Sequence, residues 1–388
     1  MSVFRSRPAV RWLVPAAAAA VVIGGGAAAG TIVASADPSL PPRSAAQLLV
    51  DLQTARVAGL SGTIVETADL GLPSVPGLTG GQGGDVDLTK LITGSNTARV
   101  WYAGQDKVRV SLMGVMGETD LVRNGTDVWL WRSTDNTARH MTIPAGEPDR
   151  APTALPSGIP VTPQEAADQA LAAIDPTTNV TTTGAAKVAG RDAYELVLAP
   201  KDTASLIGQV RLAVDAKQHI PLRVDVYAKG ANNPAVRVAF QQISFTVPDA
   251  QQFVFNPPPG TKVTNEKSPE GAAGTPAPRK DMAQTVPGKP VKPSGAEHGD
   301  SGSTVVGTGW TSVLVAKVPS DAASGTSGAQ NPVAGIVNSL PKVSGSWGSG
   351  RLLSSSLFTA LLTDDGRLLA GAVSPDRLYQ VAATNAGK

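Results

Sequence analysis

Residues 121–132 read Leu-Val-Arg-Asn-Gly-Thr-Asp-Val-Trp-Leu-Trp-Arg, and their alternation decides the reading of the chain. Asn124-Gly125 is the strongest hairpin signal present, because both central positions of a type I′ turn need positive φ. A two-residue turn at these positions pairs 123 with 126, 121 with 128, 120 with 129 and 118 with 131. Leu121, Val128 and Leu130 then share one face, and Trp129 and Trp131 share the other with Asp120 and Glu118. The aliphatic face is expected to line an interior. The tryptophan face is expected to be a rim or partner surface covered by another segment, with the C-terminal unit as the candidate cover.

The same period of two runs outward in both directions. LSGTIVET, TARVWYA, KVRVSLMG, ETDLVR, DVWLWR and TARHMTI read as successive short strands from Leu60 to Ile143, interrupted by a Gly-rich loop between Gly71 and Gly94. A Pro-rich crossing over 144–160 ends that run. Strands resume as TTTGAAKVAG, RDAYELVLAP, GQVRLAVD, PLRVDVYA and AVRVAFQQISFTV. In the last, Val236, Val238 and Phe240 are even while Ile243, Phe245 and Val247 are odd, so a bulge is expected at Gln241-Gln242.

Two helices interrupt the strands. Residues 44–59 start at an N-cap Ser44 with Gln47 three residues on, carry Ala45, Leu48, Leu49, Leu52 and Ala55 on one stripe, and stop at Gly59. Residues 162–176 have N-cap Thr162, Pro163 at the first helical position, Glu165 closing a capping box, and a stop at Asp175-Pro176. Their stripe of Ala166, Ala170, Leu171 and Ile174 is narrow, and small residues let such a helix approach a sheet closely.

Composition narrows the function. The chain has 388 residues, 16% charged, with a formal net charge of +2. No basic block follows the first dozen residues and no aromatic ladder is interleaved with Arg or Lys, which argues against nucleic acid as a partner. Cysteine is absent and only His140, His219 and His298 are present, so no thiol chemistry is available and no dedicated metal site or cofactor is expected. Arg5, Arg7 and Arg11 precede an uncharged stretch from Trp12 to Ala36. Two readings stand: a signal cleaved after Ala34-Ser35-Ala36, or a membrane anchor with basic residues inside. Both place the rest of the chain outside the cytoplasm, and without Cys it is not a lipoprotein.

Catalytic templates fail. There is no G-x-S-x-G elbow, P-loop, H-E-x-x-H or strand-to-helix G-x-G-x-x-G. Glu118/Asp120 and Asp364/Asp365 read as solvated surface pairs rather than an acid and its base, His140 and His219 as ordinary strand and turn residues, and GSWGSGR (345–351) as a Gly-rich loop before a strand rather than an anion nest.

Residues 265–303 lack periodicity and read as a flexible linker. Beyond them come a strand over 303–318, a Gly/Ser loop, a short helix NPVAGIVNSL, two strands joined at Asp365-Gly366, and a closing helix from N-cap Ser374 and Pro375.

The order of these pieces resembles the LolA/LolB, LppX and RseB superfamily of exported lipid- and lipoprotein-binding proteins. The matching wording is AAQLLVDLQTARVAGLSGTIVET (45–67), VRNGTDVWLWR (122–132), GRDAYELVLAPKD (190–202) and FVFNPPPGTKV (253–263), and it spans about 43–264. The Gly-rich insertion near 71–94 departs from the family pattern, and the family's lid-latching arginine matches none of Arg99, Arg109 or Arg123 in particular.

The resemblance implies an α+β chain with an incomplete curved antiparallel β-barrel wrapped around helices, followed by a small α+β C-terminal domain. The expected division is 1–36 signal or anchor, 37–264 half-barrel, 265–303 linker and 304–388 C-terminal domain. It further implies an apolar cavity for a lipid or lipoprotein acyl chain, with no catalysis. Leu48, Leu52, Val108, Val110, Leu112, Leu121, Val128, Leu130, Leu171, Leu196, Leu198 and Leu212 are its candidate walls. An alternative implied by the two-unit layout, with LLAGAVSPDRLYQVAA (368–383) similar to the last strand and helix of RseB, is an extracytoplasmic regulator that binds a membrane anti-sigma partner. A tight core without a cavity and an exported hydrolase with an unrecognised site remain as further readings.

Overall fold

A computed structural model describes residues 40–72, 93–114, 117–143, 162–266, 303–318, 337 and 339–384. The N-terminal apolar stretch, nearly all of the Gly-rich insertion, the Pro-rich crossing and most of the linker lie outside the described residues.

A twelve-stranded sheet forms the larger unit. Its strands are β1 (Leu60–Asp69), β2 (Thr93–Tyr102), β3 (Lys107–Gly114), β4 (Gly117–Asn124), β5 (Asp127–Arg132), β6 (Thr137–Thr142), β7 (Thr178–Val188), β8 (Arg191–Pro200), β9 (Ile207–Asp215), β10 (Pro221–Ala228), β11 (Val236–Ser244) and β12 (Lys262–Glu266). Their order is β12-β6-β5-β4-β3-β2-β1-β11-β10-β9-β8-β7, so β1 joins two antiparallel meanders and the sheet stays open between β12 and β7. This is the incomplete barrel expected from the sequence. The bulge falls where parity changes: Thr63 pairs with Gln242 and Ile64 with Phe240, which leaves Gln241 as the extra residue.

The tryptophan hairpin differs from expectation in register. Asn124 pairs with Asp127, Leu121 with Leu130, Val122 with Trp129 and Asp120 with Trp131. The turn is therefore centred on Gly125-Thr126. Gly125 has φ +63° and Thr126 is not among the positive-φ residues, as a turn with Gly at its first central position requires. A shift of two preserves parity, so the face assignments hold although the individual pairs move.

Both meanders turn an apolar face inward. Across one run Leu130, Leu121, Val110 and Val100 lie side by side, and across the other Val238, Val224, Leu212 and Leu196. The outward face is charged: Arg237, Asp225 and Arg211 are cross-strand neighbours, and Arg237 Nε donates to Asp225 Oδ1 at 2.6 Å. Such a ladder keeps a wide sheet soluble on its outer side.

Helices α1 (Ala45–Thr54) and α2 (Pro163–Ala172) lie on the inner face. Both form the capping boxes expected, Ser44 with Gln47 and Thr162 with Glu165. Each helix is shorter than the sequence suggested, ending at Thr54 and Ala172 rather than at Gly59 and Asp175. α1 buries Leu48 and Leu52, roughly 1.5–3 kcal/mol each by transfer. α2 buries only Pro163, Ala166 and Ala167, and so sits close on β10 and β11.

The smaller unit is a six-stranded sheet ordered β13-β14-β18-β17-β16-β15. Its strands are β13 (Ser303–Val306), β14 (Val313–Lys317), β15 (Lys342–Gly345), β16 (Gly348–Ser354), β17 (Thr359–Thr363) and β18 (Arg367–Gly371), with α3 (Pro375–Ala383) on one face. The strand expected over 303–318 is a hairpin: β13 and β14 pair antiparallel around Gly307 and Gly309, which hold φ +90° and +60°. The helix expected over 331–340 falls largely outside the described residues. GSWGSGR forms the β15–β16 hairpin, and Arg351 Nη1 donates to the Leu340 carbonyl.

The two sheets touch directly. Leu206 N–H donates to the Ala372 carbonyl at 2.8 Å and Ser356 N–H to the Leu70 carbonyl at 2.8 Å. Trp310 Nε1 donates to Thr178 Oγ1 at 2.7 Å, and Leu70, Ala235 and Leu357 form a small buried cluster at the seam.

Candidate functional site

The inner face and the two helices leave a cavity of about 670 Å³. Its apolar wall comes from Leu52 and Val57 at the end of α1, Leu60 on β1, Val100 on β2, Val108 and Val110 on β3, Phe240 on β11, and Ile220 before β10. Gly62 is required here, because a Cβ would come within 2.9 Å of the Phe240 ring and 2.5 Å of the Gln242 carbonyl oxygen. The bulge at Gln241 and the glycine beside it together seat Phe240 in the cavity wall.

The mouth is polar. Gln53 and Arg56 stand at the end of α1, Tyr102 and Gln105 at the β2–β3 turn, Arg123 on β4, and Gln164, Glu165 and Asp168 on α2. Arg123 shares the inner face with Leu121 and Val128, is 5% exposed, and donates from Nε to the Gly125 carbonyl at 3.2 Å. Arg109 is absent from the cavity and Arg99 is exposed, so Arg123 is the one of the three arginines that reaches this wall.

The structure distributes the candidate wall residues in two groups. Leu52, Val108 and Val110 line the cavity. Leu48, Leu112, Leu121, Val128, Leu196, Leu198 and Leu212 are buried in the continuous core behind and beside it, with Leu130 and Leu171 partly buried against that core. Sequence reasoning missed Val57, Leu60, Val100, Ile220 and Phe240. Val100, Leu60 and Phe240 carried the inward parity, but which inward residues border open space depends on how far α1 and α2 extend.

Deeper on the same face Glu66 is 4% exposed and neighbours Ile64, Ala98 and Leu112. Burial pushes its carboxyl up to about 7, although Asn96 Nδ2 donates to it at 3.3 Å and favours the charged form.

The opposite face of the tryptophan hairpin is covered, but not by the C-terminal unit. The segment following β11 packs there: Phe253 is buried, Phe255 lies 5.3 Å from the Trp129 ring and 6.3 Å from Trp131, and β12 adds parallel to β6. Trp129 stacks on His140 at 4.1 Å, and His140 Nε2 is 2.9 Å from Asp127 Oδ1. Trp131 Nε1 donates to Asn136 Oδ1 at 3.3 Å. His219 sits in the β9–β10 turn at φ +59°.

Glu118 and Asp120 are not a solvated pair. Asp120 is 2% exposed and accepts from Arg109 Nη2 at 2.6 Å, while Arg109 Nη1 donates to the Gln252 carbonyl at 3.4 Å. Burial, and then the neighbouring Asp120 charge, raise the Glu118 carboxyl above its ordinary value. This cluster anchors the covering segment. Asp364 and Asp365 are exposed, as expected, and Asp365 in addition holds the buried Arg367 at 2.9 Å. Among the described residues no three His, Cys, Asp or Glu side chains gather as a metal site, and no helix is long and apolar enough to cross a membrane.

Residues 118–263 match the family model described as the MucB/RseB N-terminal domain. No curated protein matches the chain. Among solved structures the chain is similar to the MucA/MucB complex of Pseudomonas aeruginosa, with 15% identity over 87% of this chain and 96% of that chain and a TM-score of 0.40. It is also similar to an uncharacterized conserved protein from Thermus thermophilus, with 11% identity over 57% of this chain and 99% of that chain and a TM-score of 0.32. A LolA superfamily protein from Nitrosomonas europaea shows 10% identity over 55% and 99%, with a TM-score of 0.20. The family match runs from β4 to β12 and takes in the tryptophan hairpin, α2, the whole second meander and the covering segment. Over that stretch the resemblance to RseB read from the sequence has its counterpart in the match to the MucB/RseB N-terminal domain model.

Proposed function

We propose that the protein is an extracytoplasmic binding protein that holds the acyl chain of a lipid or lipoprotein between α1, α2 and the inner face of the half-barrel. The observation that carries this is the cavity of about 670 Å³ with an aliphatic wall and a polar mouth. Small-molecule sites commonly have volumes of about 300–1,000 Å³ with this division of lining. Each buried methylene contributes about 0.8 kcal/mol, so ten of them offer about 8 kcal/mol before the cost of association. Binding needs no catalytic group, and none of the polar residues at the mouth forms a nucleophile–base pair. The basic and then apolar N-terminal stretch supports export, with that stretch retained as an anchor or removed.

The test is uptake of a fluorescent fatty acid by the full chain and by Val100→Trp, which pushes an indole into the cavity from its wall. Saturable uptake at about micromolar concentration, lost in the variant, is the expected result. Uptake unchanged by the variant, or none by either protein, overturns the reading.

The MucB/RseB match and the sheet docked beside the half-barrel favour a second reading, a regulator whose C-terminal unit meets a membrane anti-sigma protein. The Pseudomonas aeruginosa relative is a MucA/MucB complex. Capture of a membrane protein that requires residues 303–384 and is weakened by a fatty acid supports this second reading; capture without those residues removes it.

A further inference from the structure

The cavity is a trough that runs across the strands. Leu60, Tyr102 and Val108 are direct partners across β1, β2 and β3 and form the row of its floor nearest the mouth. Gly62, Val100 and Val110 form the next row, with the Phe240 ring beside Gly62. The row after that, Ile64, Ala98 and Leu112, is buried in the core and closes the floor. Across the strands the lining continues from Val108 on β3 to Phe240 on β11 and Pro221 at the start of β10, four strand intervals or about 19 Å. An acyl chain of a bilayer is about 15 Å long, half the hydrocarbon thickness, so it fits this length and not the two-row depth. The volume sets how many chains enter. A methylene takes up about as much room as a water molecule in the liquid, about 30 Å³, so the cavity of about 670 Å³ holds about 22 of them. One sixteen-carbon chain fills most of that space, whereas two need about 960 Å³ and the buried third row leaves no second layer beneath the first.

Resting on the acyl-chain reading above, we propose that the cavity takes one acyl chain per protein and so selects single-chain amphiphiles, a fatty acid or a lysophospholipid, over two-chain lipids. The single chain lies crosswise on Val108, Val110 and Val100 with Phe240 at its far end. A two-chain lipid places only one chain on this wall. Its other chain is left at a mouth lined by Gln53, Gln105 and Gln164, having given up burial in its bilayer at about 0.8 kcal/mol per methylene. A single-chain amphiphile leaves no methylenes there and carries no such penalty.

The experiment saturates the full chain with hexadecanoate and counts bound molecules by native mass spectrometry. Val100→Trp marks the binding that belongs to the cavity, and Val57→Trp at the rim replaces it if that variant fails to fold. One hexadecanoate per native chain, lost in the variant, is the expected result. A second arm displaces the fluorescent fatty acid with two phosphocholine lipids at equal total lipid, one carrying a single hexadecanoyl chain and the other carrying two. The single-chain lipid is expected to displace at a concentration lower by at least about tenfold. Two hexadecanoates per chain that are both lost in the variant, or equal displacement by the two lipids, overturns the one-chain proposal and leaves acyl-chain binding intact. No bound hexadecanoate, or binding that neither tryptophan variant changes, overturns both.

Discussion

The two sheets solve one problem in opposite ways. Each has an apolar face with helix laid on it, yet among the described residues the helix of the six-stranded sheet packs onto fully buried side chains while the twelve-stranded sheet is left with a cavity. In the small unit α3 sends Leu378, Val381 and Ala382 onto Val313, Val315, Leu361 and Leu369, all of them buried. In the large unit α2 offers Pro163, Ala166 and Ala167, and α1 stops at Thr54 before covering the β2–β3 end of the wall. The sheets differ less than the helices do. Small side chains and an early stop leave the opening, and full-sized aliphatic ones close it.

The first way to break the comparison is Leu378→Ala. This residue is fully buried at the centre of the small core, and the substitution is expected to destabilise that unit by about 4 kcal/mol, read as a lower denaturation midpoint. Fatty-acid uptake by the half-barrel should survive under conditions where both units remain folded. Loss of uptake there would couple the units more tightly than the contrast allows.

Next comes pH. Both sheets bury an ionisable group on the inner side, but Arg367 has Asp365 and the Ala382 carbonyl as partners, whereas burial dominates at Glu66. With the folded carboxyl at about 7 and the unfolded one near 4.5, the unfolded chain loses its proton first. The contribution of Glu66 to stability is therefore greatest below about pH 4.5, falls through the interval, and levels off above pH 7, for a total of roughly 3 kcal/mol. Glu66→Gln should flatten that part of the profile. An unchanged slope between pH 4.5 and 7 would place the titration elsewhere.

Leu52→Ala sharpens the comparison further. Leu52 borders the cavity, so truncation enlarges an existing space, and a cost of about 2 kcal/mol, at the low end for such changes, is expected. A cost equal to that of Leu378→Ala would mean that the wall is as tightly packed as the core of the small unit. The smallest effect is at the α2 cap: Thr162→Ala removes the bond to the Glu165 N–H and should cost about 1 kcal/mol in denaturant titrations.

Much of this was legible in the sequence because it is local. Both capping boxes, the order of strands β1 to β11 and the bulge at Gln241 follow from residue types a few positions apart. The faces of the tryptophan hairpin also followed, though its register did not: Asn-Gly suggested a turn with two positive φ angles, while the chain places Gly125 first and Thr126 second. Features set by distant segments were hidden. Asp120 looked exposed because the segment at 250–255 that buries it beside the half-buried Glu118 lies more than a hundred residues on, and β12 escaped notice because its partner β6 is parallel and equally remote. GSWGSGR (345–351) reads as a loop before a strand because Gly and Ser dominate it, yet it forms the turn and the first half of β16 in the β15–β16 hairpin. The cavity wall was half legible: parity gave the inward side, but only the lengths of α1 and α2 decide which inward residues face open space.

The central claim is that the opening left by those helices is filled by an amphiphile. The most direct measurement is organic-solvent extraction of the purified full chain and of Val100→Trp, with the extracts compared by mass spectrometry. The account predicts an acyl-chain compound close to one per chain that is carried by the native protein and missing from the variant. Identical extracts from the two proteins, or extracts with no amphiphile at all, would contradict it.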